Sequence, residues 1–292
     1  MELLQRIAQI IIPLFLIVAI GYVYGRRHSP DMSPFNRITL DVLAPSLVYS
    51  ALAARDFHLA EHQTLLLAGI ALMVGCGLLA WPLARFFKAQ PRTLVPVVMF
   101  NNCGNIGLPL ALLAFGPKGF APAVALFAAS NLLHFSVGAR ITSQLARTRD
   151  LLLSPLTIAT FLGFASALTD VRPPEVILSG MKLLGDALLP LMLFGLGVRL
   201  TGLTRQGAAE GLLGAVARPV VGLLLAFPLI WLFGLEGAAR SQLLLFSALP
   251  PAVMQYLLAE RYHQEPDKVA AMILLGNALS LIFIPLALVA AL

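Results

Sequence analysis

Ten apolar runs, each near the length that crosses a bilayer as a helix, take up almost the whole of this chain. About 20 mostly apolar residues span the hydrocarbon core, and the runs fall at 7–24, 34–54, 63–87, 93–115, 120–141, 151–168, 174–198, 207–233, 238–259 and 269–291. The connections reach only about a dozen residues, too few for a separate soluble domain. Charged residues make up 12% of the chain, against about 25% in a soluble domain. The expected fold class is an all-α polytopic membrane protein whose surroundings are the lipid bilayer. The first run resembles a signal peptide in having Arg6 ahead of it. It lacks a small-residue cleavage pattern and runs straight into Gly25-Arg26-Arg27, so it reads as a retained helix.

The basic residues are sorted by side. Connections after the odd-numbered runs hold Arg26, Arg27, Arg37, Arg85, Lys88, Arg92, Arg140, Arg147, Arg149, Arg199, Arg205, Arg261 and Lys268. The other side holds Arg6, Arg55, Lys118, Arg172 and Arg240. Lys and Arg accumulate in short cytoplasmic loops. Both termini are therefore expected on the non-cytoplasmic side of a cell membrane, as in a bacterial inner membrane. The net charge of +6 reads as topology, not as a nucleic-acid surface, which would need a soluble basic face.

The two halves of the chain repeat one another. "RITLDVLAP" answers "KLLGDALLP", so that Arg37, Asp41 and Pro45 match Lys182, Asp186 and Pro190, each 145 positions on. Pro82 answers Pro228, and Asn131 answers Asn277, both 146 positions on. Pro13 stands eight residues before Gly21, as Pro155 stands eight before Gly163. Matches in order at a nearly constant offset predict a duplicated five-helix unit: residues 1–141, a cytoplasmic linker at 142–150, and residues 151–292. Because five is odd, the second unit enters from the opposite side, the inverted repeat common in secondary transporters.

The fourth run contains "FNNCGNIGLPLALLAFG", with Asn101, Asn102 and Asn105 beside Gly107 and Pro109. Residue 105 is the midpoint between Arg92 and Lys118. In the ninth run the midpoint between Arg240 and Arg261 falls on Pro250-Pro251. A helix break in hydrocarbon leaves unpaired backbone groups and is tolerated only where protein or a watery cavity covers it. Proline suits the first turn of a helix. Gly107-Leu108-Pro109 and Leu249-Pro250-Pro251 are thus expected to open second half-helices, with Pro109 as the counterpart of Pro251. Half-helix N-termini favour anions, and asparagine adds donors and acceptors without a charge to desolvate. The expected binding residues are Asn101, Asn102, Asn105, Gly107, Pro109, Pro250, Pro251 and Gln255, with Asn131 and Asn277. The competing reading is a pair of packing kinks.

Ionisable residues inside a span are functional candidates. Lys182 and Asp186, like Arg37 and Asp41, are one turn apart and can neutralise each other; Asp186 is also deep enough for a site. Arg218 can clamp a carboxylate or snorkel to the interface. His134 can shuttle protons or sit hydrogen-bonded in the bundle. Cys76 and Cys103 lie in spans, with neither a disulfide framework nor metal-ligand spacing. Neither a metal nor a cofactor is expected. No HExxH, paired-Asp or Ser–Lys arrangement supports an enzyme, and broken inverted helices favour a carrier over a channel.

With these residues in view, the chain resembles the auxin efflux carrier family, which includes the plant PIN proteins and bacterial organic-anion permeases. The resemblance lies in the "N-x-G-x-P-L…FG" stretch, "FNRITLDVLAPSLVYSAL", "PLMLFGLGVRL" and "SALPPAVMQYLLAERY", in order over nearly the whole chain. It implies ten transmembrane helices with crossed, broken fourth and ninth helices, and interleaved scaffold and transport subdomains. It also implies alternating access and an organic anion such as auxin, malonate or malate. A homodimer through the scaffold subdomain is a further expectation. The fold is similar to that of sodium–bile acid symporters, so sodium coupling is the alternative. Here Pro250, Pro251 and Ala252 offer no carboxylate for that ion, which leaves backbone carbonyls and the amides of Asn and Gln as oxygen donors. The long cytoplasmic loop of many plant members is absent, which points to a bacterial-type permease.

Overall fold

The computed structural model describes residues 2–55, 57–144, 153–169, 171–202 and 205–291, with backbone alone at 2–4 and 205–210. The chain is helical almost throughout. Helix α1 is Glu2–His28; α2, Ser33–Ile38, continues through a π-helical turn, Thr39–Leu43, into α3, Ala44–Leu52; α4 is Leu59–Phe86 and α5 Pro91–Met99. A second π turn, Cys103–Gly107, leads into α6, Leu108–Leu133, and a third, His134–Gly138, into α7, Ala139–Thr142. Then come α8, Pro155–Thr169; α9, Glu175–Leu200; α10, Arg205–Phe233; α11, Gly237–Ala248; α12, Met254–Arg261; and α13, Pro266–Ala291. Among the described residues, strand pairing is confined to one isolated bridge, Asn101 to Pro251.

Among the described residues, six stretches are long and apolar enough to cross a membrane: Gln5–His28, Leu59–Phe86, Cys103–Thr142, Glu175–Leu200, Gly211–Phe233 and Pro266–Ala291. The expected runs at 34–54, 93–115 and 238–259 appear in shorter pieces, because a π turn divides the first and a break divides each of the others. The run at 151–168 keeps only the 15 residues of α8 within the described part. Cys103–Thr142 has 40 residues, about 60 Å of helix at 1.5 Å per residue, twice a hydrocarbon core. It is not straight: Gly116 has φ 67° and ψ −168°, a conformation a Cβ would strain. That kink is the turn expected between the fourth and fifth runs.

Packing divides the helices into two sets. Helix α9 packs along α1 and against α3, and α3 packs on α8. Helix α10 packs most extensively on α13, and also on α4, α5 and α11; α4 packs on α5. The α1–α9 crossing is close: a Cβ on Gly21 would lie 2.1 Å from the Phe194 carbonyl oxygen, and one on Gly197 2.0 Å from that of Val18. Membrane helices gain no hydrophobic drive from each other in lipid, so small residues that bring backbones together supply the attraction. Contacts between the two sets are sparser, and the site lies between them.

Candidate functional site

Both half-helices end in extended backbone at the same place. Helix α5 stops at Met99, with Phe100 at φ −107°, ψ 133°; α11 stops at Ala248, with Leu249 at φ −61°, ψ 144°. The two unwound stretches then pair with each other. The Asn102 N–H donates to the Pro250 carbonyl at 2.7 Å, and the Ala252 N–H donates to the Phe100 carbonyl at 3.1 Å. Pro250 and Pro251 have no N–H, so the second stretch has few donors to place. Side chains cap what remains. The Asn101 carboxamide donates from Nδ2 to the Phe246 carbonyl at 2.6 Å, and Arg218 Nη1 to the Ser247 carbonyl at 3.1 Å. Both are last-turn carbonyls of α11 that the helix itself cannot satisfy. Asn102 Nδ2 donates to Asn277 Oδ1 at 2.7 Å, tying the crossover to α13.

A cavity adjoins this crossover, with ≈ 70 Å³ open to the centre of a water-sized solute. One water needs about 10–15 Å³ on that scale, so there is room for a few waters or one small polar group. All three π turns meet here: Thr39 and Leu40 come from the first, Cys103, Gly104 and Asn105 from the second, and His134 from the third. Such turns are frequent at functional sites, because the extra residue frees backbone groups and re-aims side chains. Asn36, Met192 and Arg199 line the opposite wall, and Ala252, Val253 and Met254 close the cavity beside α12.

Several polar groups here are uncommitted. The Asn105 side chain is buried and makes no hydrogen bond among the described residues. Asn101 Oδ1 and Thr39 Oγ1 are buried without partners among the described residues. Arg199 Nη2 donates to Asn36 Oδ1, one contact for a group with five N–H donors. Among the described lining residues Arg199 carries the one permanent charge, and no carboxylate lines the cavity.

His134 is held by a defined network. Its Nε2 lies 2.9 Å from Gln255 Oε1, and Gln255 Nε2 donates to Thr142 Oγ1 at 3.0 Å. Thr142 Oγ1 in turn donates to the Gly138 carbonyl at 2.9 Å. Because the Gln255 amide is spent on Thr142, its oxygen must accept, and His134 carries its proton on Nε2. The ring stacks on Phe100, centroids 4.1 Å apart and planes 4° from parallel. The histidine is thus locked against the first residue of the unwound stretch.

The structure moves several expected positions. The first break lies at Phe100–Asn102, not at Gly107-Leu108-Pro109. Gly107 belongs to the π turn and lines a separate small cavity with Leu249 and Gln242, while Pro109 stands in the first turn of α6, as expected, although the π turn runs into that helix without a break. The residue opposite Pro251 is Asn101, not Pro109. Neither Pro250 nor Pro251 lines the main cavity, and the helix they were expected to open starts at Met254. Asn131 lines the cavity with its Nδ2 donated to the Phe127 carbonyl at 2.9 Å, whereas Asn277 and Gln255 stand one layer behind. Lys182 and Asp186 pair at 2.9 Å as the spacing predicts, but on the exposed face of α9, away from the cavity. Arg37 and Asp41 line a groove on the outer surface with Asp31 and are not bridged to each other. Arg218 does not snorkel: it is 0% exposed, and it does not line the cavity.

Sequence reasoning missed Arg199, Asn36, Thr39 and Ser130. In sequence Arg199 counts as a loop charge, because it stands at the end of an apolar run. The available signal was that "FNRIT" and "GVRL", which hold Asn36 and Arg199, are among the stretches that carry the family resemblance.

Comparison with known proteins gives the same direction. A family model described as membrane transport protein matches residues 7–147 and 140–288. An "uncharacterized transporter" of Methanocaldococcus jannaschii is 26% identical over 302 residues, covering 95% of this chain and 96% of the relative. A protein of Rhizobium meliloti named "Putative malonate transporter" is 23% identical over 301 residues, covering 95% of this chain and 93% of the relative.

Proposed function

The chain belongs to the membrane transport protein family, the auxin efflux carrier-like family its motifs resemble, and from that premise we propose a secondary transporter of a small organic anion. The family and the relatives are transporters, not enzymes. The observation that carries the proposal is Arg199 facing the uncommitted Asn105 amide, with the Asn101 Oδ1 acceptor unpaired among the described residues, across a cavity between two helix sets. Arg199 supplies charge and a planar donor fork suited to a carboxylate. The amides choose orientation, and the N-terminal half-turn at Cys103 adds backbone donors. A dicarboxylate such as malonate, the compound in the Rhizobium relative's name, has the charge and compactness for this cavity.

Alternating access then follows from where the cavity lies. One wall belongs to the α1–α3, α8, α9 set and the other to the set containing the crossover. A shift of the second set against the first would carry the bound anion from one face to the other. The arrangement proposed is ten crossings in two inverted five-helix repeats. Its support is the sequence repeat and the likeness of α4 and α10, of 28 and 29 residues, each with its repeat-related proline, Pro82 or Pro228. Purified protein in liposomes loaded with malonate should take up labelled malonate by saturable counterflow, unchanged when potassium replaces sodium. Ohmic conductance without saturation would indicate a channel, and abolition by sodium removal would restore the symporter reading.

The charge bias of the connections supports both chain ends lying on the non-cytoplasmic side. A cysteine substituted at Glu2 or Leu292 in whole cells should react with an impermeant maleimide added outside. Labelling only after the cytoplasmic face is opened would reverse the topology.

A homodimer through α9 is proposed as well. Asp186 lies about 17 Å along a helix of about 39 Å, so the Lys182–Asp186 pair, with side chains 69% and 50% exposed, would face lipid in a monomer. Charges at that depth are costly in lipid, and a second copy would cover them. Cysteines at position 183 should then cross-link between two chains in native membranes. A monomeric mass together with no cross-link would exclude the dimer.

A further inference from the structure

Arg218 has not entered the mechanism so far, and its surroundings are unusual. It is the largest fully buried side chain described. Its Nη1 donates to the Ser247 carbonyl at 3.1 Å and approaches Cys76 Sγ at 3.9 Å, while Nε and Nη2 have no partner among the described residues. No described carboxylate reaches it. It is closely packed and lines neither cavity at the crossover: a Cβ on Gly222 would lie 2.4 Å from Nη1. A guanidinium does not shed its proton in a protein, and burying it unpaired is expensive. It is therefore neither a second binding site nor a snorkelling residue, but a permanent charge enclosed beside the crossover.

The electrostatics of the crossover show what that charge does. Four half-helix ends meet there: the C-termini of α5 and α11, and the N-termini of the Cys103 turn and α12. Their partial charges are about −0.5 and +0.5 each, so they nearly cancel as a set. The Arg218 charge is left uncompensated. Ser247 and Phe246 are successive residues of α11, and the Phe246 carbonyl accepts from the cavity-lining Asn101. That chain of contacts puts the guanidinium roughly 10 Å from the cavity wall, estimated from helix dimensions. At an effective dielectric of about 20, a charge at that distance favours each unit of negative charge by about tenfold in affinity.

We propose that Arg218 is a specificity-determining residue that makes the cavity selective for anions, and for dianions over monoanions, without touching the substrate. The proposal rests on the anion-carrier reading above. It differs from a capping role in one measurable respect: the effect must scale with ligand charge. Contact residues such as Arg199 combine charge with geometry, whereas Arg218 acts through the field alone.

The test compares malonate with monomethyl malonate, which has nearly the same shape and one charge fewer, by calorimetry on the purified full chain. Arg218→Gln retains a donor for the Ser247 carbonyl and removes the charge. It should weaken the monoester about tenfold and malonate about a hundredfold, and Arg218→Lys should restore both. A second variant leaves the arginine in place: Cys76→Asp sets a carboxylate beside the guanidinium. It should raise the melting temperature by pairing the buried charge, yet lower anion affinity with the same charge dependence. Equal losses for both ligands, or a Cys76→Asp protein that binds malonate like wild type, would reduce Arg218 to a structural cap and leave the anion reading standing. Wild-type protein that binds neither ligand would overturn the anion reading, and this inference with it.

Discussion

Substituting glutamine for Arg199 is expected to weaken dicarboxylate binding by roughly a hundred- to a thousandfold. Removing one partner of a buried, hydrogen-bonded charge pair costs about 2–5 kcal/mol, and Arg199 is the one permanent charge among the described cavity-lining residues. The fold should survive, because glutamine can still donate to Asn36 Oδ1, the contact Arg199 makes now. Arg199→Lys should recover only part of the loss: a lysine keeps the charge but not the planar fork that engages both oxygens of a carboxylate. The measurement is malonate affinity by calorimetry, with a melting curve for each variant. Wild-type affinity in Arg199→Gln would remove Arg199 from the site and leave it a helix-end cation hydrogen-bonded to α2.

The second large effect separates the two broken helices. Asn105→Ala removes a side chain that faces the cavity uncommitted. Its hydrogen bond to a charged group is worth about 1.5–3 kcal/mol, a ten- to hundredfold loss of affinity. Pro251→Ala acts on the backbone. It introduces an N–H into the unwound stretch, opposite Asn101 in the bridge, at a position that has none now. Because Pro251 does not line the cavity, affinity should change little while the counterflow rate falls. Wild-type binding by Asn105→Ala would show that the amide is only packing. A Pro251→Ala protein that turns over at the normal rate would show that the crossover tolerates an extra donor and is not a constrained element of the transport cycle.

The sequence by itself determined the solvent, the class and the rough position of the breaks. Runs of about 20 apolar residues can satisfy their backbone in a bilayer only as helices, and that argument needs no neighbours. The turn at Gly116 and the interruption in both crossover runs were visible for the same reason: glycine and proline act on the backbone locally. The Lys182–Asp186 pairing was also visible, since a four-residue spacing brings side chains together on any helix. Tertiary structure alone decided which way each element faced. Rotation of α9 is set by its close contact with α1 at Gly21 and Gly197. That rotation turns Lys182 and Asp186 outward and Arg199 into the cavity, an outcome no count of loop charges contains. Where the unwound stretches cross was likewise settled by pairing between residues some 150 positions apart. The Pro250 carbonyl needed a donor and the Asn102 N–H needed an acceptor, so Asn101 rather than Pro109 came to lie against Pro251. Arg218 stands out in sequence as an arginine inside an apolar run, which leaves open whether it clamps a ligand or snorkels. Only the packing of α4, α10 and α11 around it encloses the charge, because burial is a property of neighbours and not of the residue.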